Sequence, residues 1–288
     1  MFVIIGYIVV ILAVFGGYAI AGGHFGVLAV AAPIEMLIIG GAAFGAFLVG
    51  NNQKVLKATF AAIPTLFKGS RYTKARYMSL LALLYDILQK ARKEGLMSIE
   101  QDVDEPQESA LFANYPEIQA DHHLVEFITD YLRMMVSGNL NAHEIESLMD
   151  SEIETHHQEQ HAPAGAIQKV GDGLPAFGIV AAVLGVVKTM ASVNQPPAVL
   201  GQMIAGALVG TFLGILLSYG FVSPLGGLLE QKGEEATKEL VCVKTTLLAS
   251  MQGYAPAIAV EFGRKVLFST ERPSFSELED AVKQRKTA

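Results

Sequence analysis

Residues 199–222 read VLGQMIAGALVGTFLGILLSYGFV and contain no charged side chain. A run of this length matches the roughly 20 apolar residues that carry a helix across a bilayer core, where every backbone N–H and C=O must be satisfied within the segment. Only Asn194 to Ala198 separate it from a second run, Leu174 to Val193, whose one charge is Lys188. Two more, Met1 to Ile20 and Ile34 to Gly50, stand near the N-terminus, so the stretches lie two and two around a charged middle. The pattern predicts an all-α, polytopic membrane protein with four transmembrane helices and a helical cytoplasmic domain. The expected divisions are 1–50 and 174–222 for the two helix pairs, 51–173 for a cytoplasmic helical domain and 223–288 for a cytoplasmic C-terminal helical tail.

Charge sets the expected orientation. The 288 residues are 51% hydrophobic and hold 21 Lys and Arg against 28 Asp and Glu. Asn51 to Gly173 carries 11 basic and 18 acidic residues, Ser223 to Ala288 carries 9 of each, and the connectors Ala21 to Pro33 and Asn194 to Ala198 carry no Lys or Arg. Basic residues near membrane ends are retained in the cytoplasm. Twenty of the 21 fall on one side of a four-span arrangement, which puts both termini and the middle in the cytoplasm of a multi-pass inner-membrane protein. Lys188, near the outer end of its span, has a stem long enough to snorkel to the interface. The first span has no basic n-region or small-residue cleavage site, so it reads as a retained helix rather than a secretory signal. The single cysteine, Cys242, excludes an internal disulfide and reads as a small apolar core residue.

The charged middle has helical periodicity. Tyr77, Leu80, Leu81, Leu84, Leu88 and Ala91 form one stripe of a helix over Tyr72 to Lys93, closed by Gly95. A second helix is expected from Glu117 to Met135, ending at Gly138. A third opens at Asn141, where Glu144 three residues on resembles a capping box. Gln158 to Gln168 reads as a polar linker. Pro64 must kink or end the helix leaving the second span. Leu225 to Phe268 reads as a long helix bent at Pro256, and Ser276 with Glu279 as the cap of a short terminal helix.

Gly206, Gly210 and Gly214 recur every four residues in the fourth span, as Gly41 and Gly45 do in the second, which lets helix backbones approach closely. Polar groups in the spans are few. Tyr7 and Tyr18 read as interfacial anchors or core tyrosines, and a mid-span threonine such as Thr211 ordinarily bonds its own i−4 carbonyl. Glu35, the only glutamate in the four stretches, follows Pro33 at the edge of its span and reads as an interfacial capping charge. With no carboxylate expected deep in the membrane, any conducted ion needs one supplied by a partner.

Soluble chemistry is not evident. There is no phosphate-binding glycine loop, paired-cysteine motif or nucleophile elbow, so an enzyme, a cofactor or a nucleic-acid partner is not expected. His156, His157 and His161 cluster at spacings that could hold a metal, but a solvated helix end rich in Glu and Gln explains them as well. No metal site is expected.

Several strings carry a family resemblance: FGGY at Phe15 to Tyr18, FLVGNN at Phe47 to Asn52, YTKARYMSLLALLY at Tyr72 to Tyr85, GDGLPAFGIVAAVLGVV at Gly171 to Val187, VGTFLGILLSYGFVSPL at Val209 to Leu225 and GYAPAIAVEFGRK at Gly253 to Lys265. Over nearly its full length the chain resembles the A subunits of bacterial flagellar motor stators, the MotA family. The resemblance implies several A subunits around a pair of MotB-type B subunits, whose single transmembrane helix bears the ion-carrying aspartate. It places Ala182 and Thr211 beside the ion pathway. Sodium-driven relatives carry threonine where this chain has Ala182, which implies H+ as the transported ion. Pro175 and Pro224 match prolines that couple ion passage to cytoplasmic movement. From the residues alone they fit the first turn of one span and the end of another. Arg92 and Glu100 match the charged pair that engages the rotor protein FliG. Without the resemblance both read as solvated surface charges. The alternative is a TolQ- or ExbB-like energiser of outer-membrane processes, but such proteins have three spans and a different soluble insertion.

Overall fold

A computed structural model describes residues 2–138 and 141–287, and every regular element in them is helical. The helices are α1 (Phe2–Ile11), α2 (Gly17–Ile20), α3 (Phe25–Gly50), α4 (Gln53–Ala62), α5 (Lys74–Glu94), α6 (Glu100–Asp104) and α7 (Ala110–Ala113). They continue with α8 (Pro116–Gln119), α9 (His122–Ser137), α10 (Ala142–Met190), α11 (Pro197–Leu217), α12 (Ser223–Met251), α13 (Pro256–Lys265) and α14 (Phe275–Thr287). Wide π-turns at Leu12–Gly16 and Ser218–Val222 join α1 to α2 and α11 to α12. Among the described residues, four helical stretches are long and apolar enough to cross a membrane: Phe2–Ile20, Phe25–Gly50, and windows within Ala142–Met190 and Pro197–Met251.

Local chemistry accounts for the helix ends. Thr73 caps α5 by accepting from Arg76 N at 3.3 Å. Gly95 stops it at φ +93°, a backbone geometry that only glycine adopts without strain. Asn141 and Glu144 form the expected capping box, Asn141 N donating to Glu144 Oε2 at 2.9 Å and Glu144 N to Asn141 Oδ1 at 3.0 Å. Pro64 ends α4, whose chain continues as a 3₁₀ turn over Ile63–Phe67.

Other expectations are corrected. α3 starts at Phe25 and runs through Pro33, so the connector between the first two spans shrinks to a few residues. Gln158 to Gln168 is no linker but part of the 49-residue α10; its Glu, Gln and Ala residues are good helix formers, and Pro163 is absorbed inside it. The second helix expected in the charged middle begins at His122, with α8 as a separate turn ahead of it, because Asp121 takes the N-cap. Pro256 does not bend a long helix. It opens α13 after a turn at Gln252 to Ala255, where its missing N–H costs nothing. The terminal box is Ser274 with Glu277, two residues before the expected pair.

The chain divides into two units, and α10 and α12 contribute to both. Unit 1 (Met1–Gly69 and Glu159–Gln231) holds the spans. Its main buried cluster is small: Ile39, Ala43, Leu174, Ala181, Val209 and Leu213. Unit 2 (Ser70–Gln158 and Lys232–Ala288) is built on α5, buried on most sides rather than along one stripe, since Leu80 to Tyr85, Ile87 and Leu88 are all inside. Phe127, Ile128 and Tyr131 of α9, Val243 and Leu247 of α12 and Val260 of α13 join the same core.

Candidate functional site in the membrane unit

Glycines bring the third and fourth spans together at backbone distance. A methyl group on Gly178 would lie 2.7 Å from Gly210 O and 3.0 Å from Gly214 Cα, and one on Gly214 would lie 2.7 Å from Leu174 O. Farther along α10 the seam continues where Gly185 meets Ala207. Thus Gly210 and Gly214 pack as their spacing predicts. Gly206 has only Ala31 Cβ within 4 Å of its added methyl, at 3.8 Å, and Gly41 and Gly45 face no described atom within that distance. The two small-residue stripes are therefore not equivalent.

Ala182 and Thr211, the two residues matched to the ion pathway, both belong to this region and both are partly exposed. The backbone N of Ala182 would be 3.1 Å from a methyl on Gly210, the residue before Thr211. Thr189 makes the ordinary threonine bond to its i−4 carbonyl, Gly185 O, at 2.9 Å. The Thr211 hydroxyl, by contrast, has no hydrogen-bond partner among the described residues, so the expectation of a self-satisfied side chain fails there.

Pro175 does not open a helix and Pro224 does not close one. Pro175 lies inside α10, where its ring removes the usual donor to the Gly171 carbonyl, and Pro224 is the second residue of α12, just past the π-turn Ser218–Val222. That turn widens the backbone at Gly220, the carbonyl against which the Pro224 ring would otherwise press. Tyr7 Oη donates to Phe221 O in the same turn at 2.9 Å, so Tyr7 is a structural tyrosine rather than a membrane-surface anchor. The prolines flank one crossing: the methyl missing from Gly171 would strike Ser223 Oγ.

Glu35 departs furthest from expectation. It stands in the third turn of α3 and is 8% exposed, facing the seam: Glu35 Oε2 would be 2.7 Å from a methyl on Gly210. It caps no helix.

In unit 2, Arg92 (last turn of α5) and Glu100 (start of α6) are both exposed. Arg92 also lines a cleft of about 500 Å³ with Leu88, Ala91, Leu96, Leu132 and Tyr254, which Glu100 does not reach. Sequence reasoning missed this cleft because Tyr254 is remote along the chain. Its local signal is the exposed apolar side chain of Leu96.

Near the other end of α5 lies a buried ion cluster. Arg76 holds Glu239 through Nε at 2.6 Å and Asp121 through a terminal nitrogen at 2.7 Å, and Arg71 adds a bond to Asp121 at 3.0 Å. Burial pushes the Glu239 carboxyl above its ordinary value while Arg76 pulls against it. The Cys242 thiol is pushed up by complete burial, which makes it an inert core group, as expected. The three histidines turn to different neighbours: His156 stacks near His123 (centroids 4.6 Å apart), His157 Nδ1 is 3.3 Å from Thr237 Oγ1, and His161 is 3.8 Å from Glu230.

Comparison with known proteins adds the family. Residues 4–95 match the model "Motility protein A N-terminal" and residues 119–242 the model "MotA/TolQ/ExbB proton channel family". The chain is 58% identical to Motility protein A of Salmonella typhimurium over 283 residues, 98% of this chain and 95% of that one. The chain belongs to the MotA family. It is 56% identical to Motility protein A of Escherichia coli, covering 99% of this chain and 96% of that relative. Its fold superposes with a TM-score of 0.73 on a chain of the flagellar MotAB stator complex from Bacillus subtilis, at 25% identity and covering 96% of this chain and 98% of that one.

Proposed function

We propose that this chain is the channel-forming, torque-generating A subunit of a bacterial flagellar stator, coupling proton flow across the inner membrane to rotation of the rotor. The observation that carries the reading is the glycine seam between the third and fourth spans, with Ala182 beside it and the Thr211 hydroxyl free, in a chain of this family. Such a wall suits a carboxylate brought by another subunit. A MotB-type helix would supply that aspartate, and several copies of this chain would surround a pair of such helices. A methyl at Ala182 offers no oxygen to a sodium ion, which favours H+. No cofactor or catalytic role is proposed. The match over residues 4–95 to an N-terminal model specific to Motility protein A favours the stator over a TolQ- or ExbB-like energiser.

One charge crossing 100 mV releases about 2.3 kcal/mol, enough for a small step and not for refolding. Contacts between glycine backbones suit such a step, because helices lacking interlocking side chains can shift at little cost. Pro175 and Pro224, on either side of the Gly171 and Ser223 crossing, would transmit the shift to the cytoplasmic residues. Arg92 and Glu100 would then engage charges on FliG weakly and reversibly, as exposed pairs do. The distribution of 20 of the 21 basic residues supports a cytoplasmic location for both termini.

Reversing both charges, Arg92→Glu with Glu100→Lys, should reduce swimming speed at least several-fold while stator units still gather at motors as fluorescent foci. Normal swimming in that double variant would sink the rotor-contact role.

A further inference from the structure

Glu35 lies ten residues into α3, about 15 Å along its axis from Phe25, too far for the helix N-terminus to stabilise a charge. It is 8% exposed, and its Oε2 is fully buried with no hydrogen-bond partner among the described residues. On the far side of the same gap stand Ala181 Cβ and Ala182 N, 3.0 and 3.1 Å from the point that a Gly210 methyl would occupy. The carboxyl is thus aimed into a slot that exists only because Gly210 has no side chain.

Among the described residues nothing around it compensates a negative charge. On α3 itself there is no second ionisable side chain, and only His24 precedes it. α11 carries none between Pro197 and Leu217, and α1 carries only Tyr7, committed to Phe221 O. α10 offers Lys188 and Asp172, both exposed, and neither pairs with Glu35. An ionised carboxylate buried without a partner is strongly disfavoured in a membrane interior, whereas the protonated acid gains an O–H donor and loses its charge.

We propose that Glu35 is a proton-binding site of the channel wall itself, a second proton-holding carboxyl besides the one brought by the partner subunit. It holds a proton as the neutral acid facing the Gly210 slot. It gives that proton up when an ionised carboxylate comes within reach through the seam, directly or through one water. In that transfer the Glu35 O–H bond breaks, a new O–H bond forms on the acceptor, and the charge moves to Glu35. A hydronium ion on the outer side then returns a proton to Glu35 and leaves as water, so nothing is consumed but the transported proton. Position on α3 fits the task, since Glu35 is nearer the outer end of its span than the inner. The role in transport rests on the proton-driven reading above. The protonation state does not.

Two measurements on the assembled stator complex decide it. Infrared difference spectra should show the C=O band of a buried neutral carboxylic acid at neutral pH, shifted by ¹³C-glutamate labelling, absent in Glu35→Gln and displaced in Glu35→Asp. Tethered-cell rotation at low load should fall at least five-fold in Glu35→Gln, lose its dependence on external pH, and recover in Glu35→Asp. Glu35→Met, which fills the volume without a proton, should behave like Glu35→Gln if the proton matters. If Glu35→Gln keeps normal speed across external pH, or if the wild-type complex shows no such band, the proposal is overturned. Should Glu35→Gln fail to assemble, the labelled wild-type band and its displacement in Glu35→Asp decide alone. A strong dependence of wild-type speed on external sodium would instead overturn proton drive and with it the transport role, while the infrared band still decides whether Glu35 holds a proton.

Discussion

The two units bury their residues in opposite ways. Unit 2 wraps a helix almost completely, with Leu80, Leu81, Leu83 and Leu84 all at 0% exposure, and locks an arginine between two carboxylates. Unit 1 leaves large residues such as Leu37 and Val49 at 75% and 91% exposure and joins its spans through glycines. Water explains the first pattern, because apolar area removed from it stabilises by about 25 cal/mol per Å². In lipid that drive between helices is missing, so close backbone packing holds spans together and apolar faces remain for lipid and neighbouring subunits. The contrast teaches which part of the molecule can move: a unit held by backbone contact can slide, and one held by interlocked side chains moves as a body.

The largest expected effect breaks the sliding half. Gly178→Leu puts a branched side chain where even a methyl would sit 2.7 Å from a carbonyl oxygen of the facing helix, and backbone cannot step aside as a side chain could. Swimming should be abolished and the purified stator should fall apart on size exclusion, while hydrogen exchange over residues 70–138 stays as in the wild type. A loss of protection confined to unit 1 sharpens the comparison; equal loss in both units breaks it. Next in size, Arg76→Ala strands Glu239 and Asp121 beside each other in the core. Removing one partner of a buried ion cluster costs about 3–5 kcal/mol. Thermal unfolding followed by tyrosine signals of unit 2 should shift down by several degrees, with exchange in the spans unchanged.

Much of this division can be read from residue order, and what escapes does so for physical reasons. Charge and hydropathy alone locate the four spans, and Gly95, Gly138 and the Asn141 box mark real helix ends. Polarity misleads between Gln158 and Gln168, because a helix needs only helix-forming residues and not an apolar face. Glu35 is misread because hydropathy starts its span at Ile34, whereas the helix starts at Phe25. The missed signal is a spacing of four: Glu35, Ile39, Ala43 and Phe47 share one buried face. Gly41 and Gly45 show the same spacing, yet a methyl on either would meet no described atom within 4 Å. Periodicity tells which residues share a face, but not what covers it. The cleft beside Arg92 joins α5 to residues near Tyr254, a pairing that no local pattern encodes.

The smallest effect tests whether unit 2 is as firmly held at its margin as at its centre. Glu277 sits outside the core, accepting from Lys74 Nζ at 2.6 Å and from Ser274 N at 2.7 Å, and these bonds, Lys74 first, lower its carboxyl from 4.5 to about 2. A depressed folded-state value means that the contribution to stability is fully present above pH 4.5 and is lost as pH falls from there toward 2. Because both partners are solvent-exposed, screening keeps the effect small, and salt should weaken it further. Glu277→Gln should therefore leave the unfolding of the unit at neutral pH nearly unchanged and remove part of its sensitivity to acid. Hydrogen exchange over Phe275 to Val282, followed from pH 5 downward, is the measurement (pH 5 being about half a unit above the onset expected for an ordinary carboxylate). An identical acid profile in wild type and Glu277→Gln would show that α14 is held by Leu278 and Val282 in the core alone, extending the firm packing of unit 2 to its last helix.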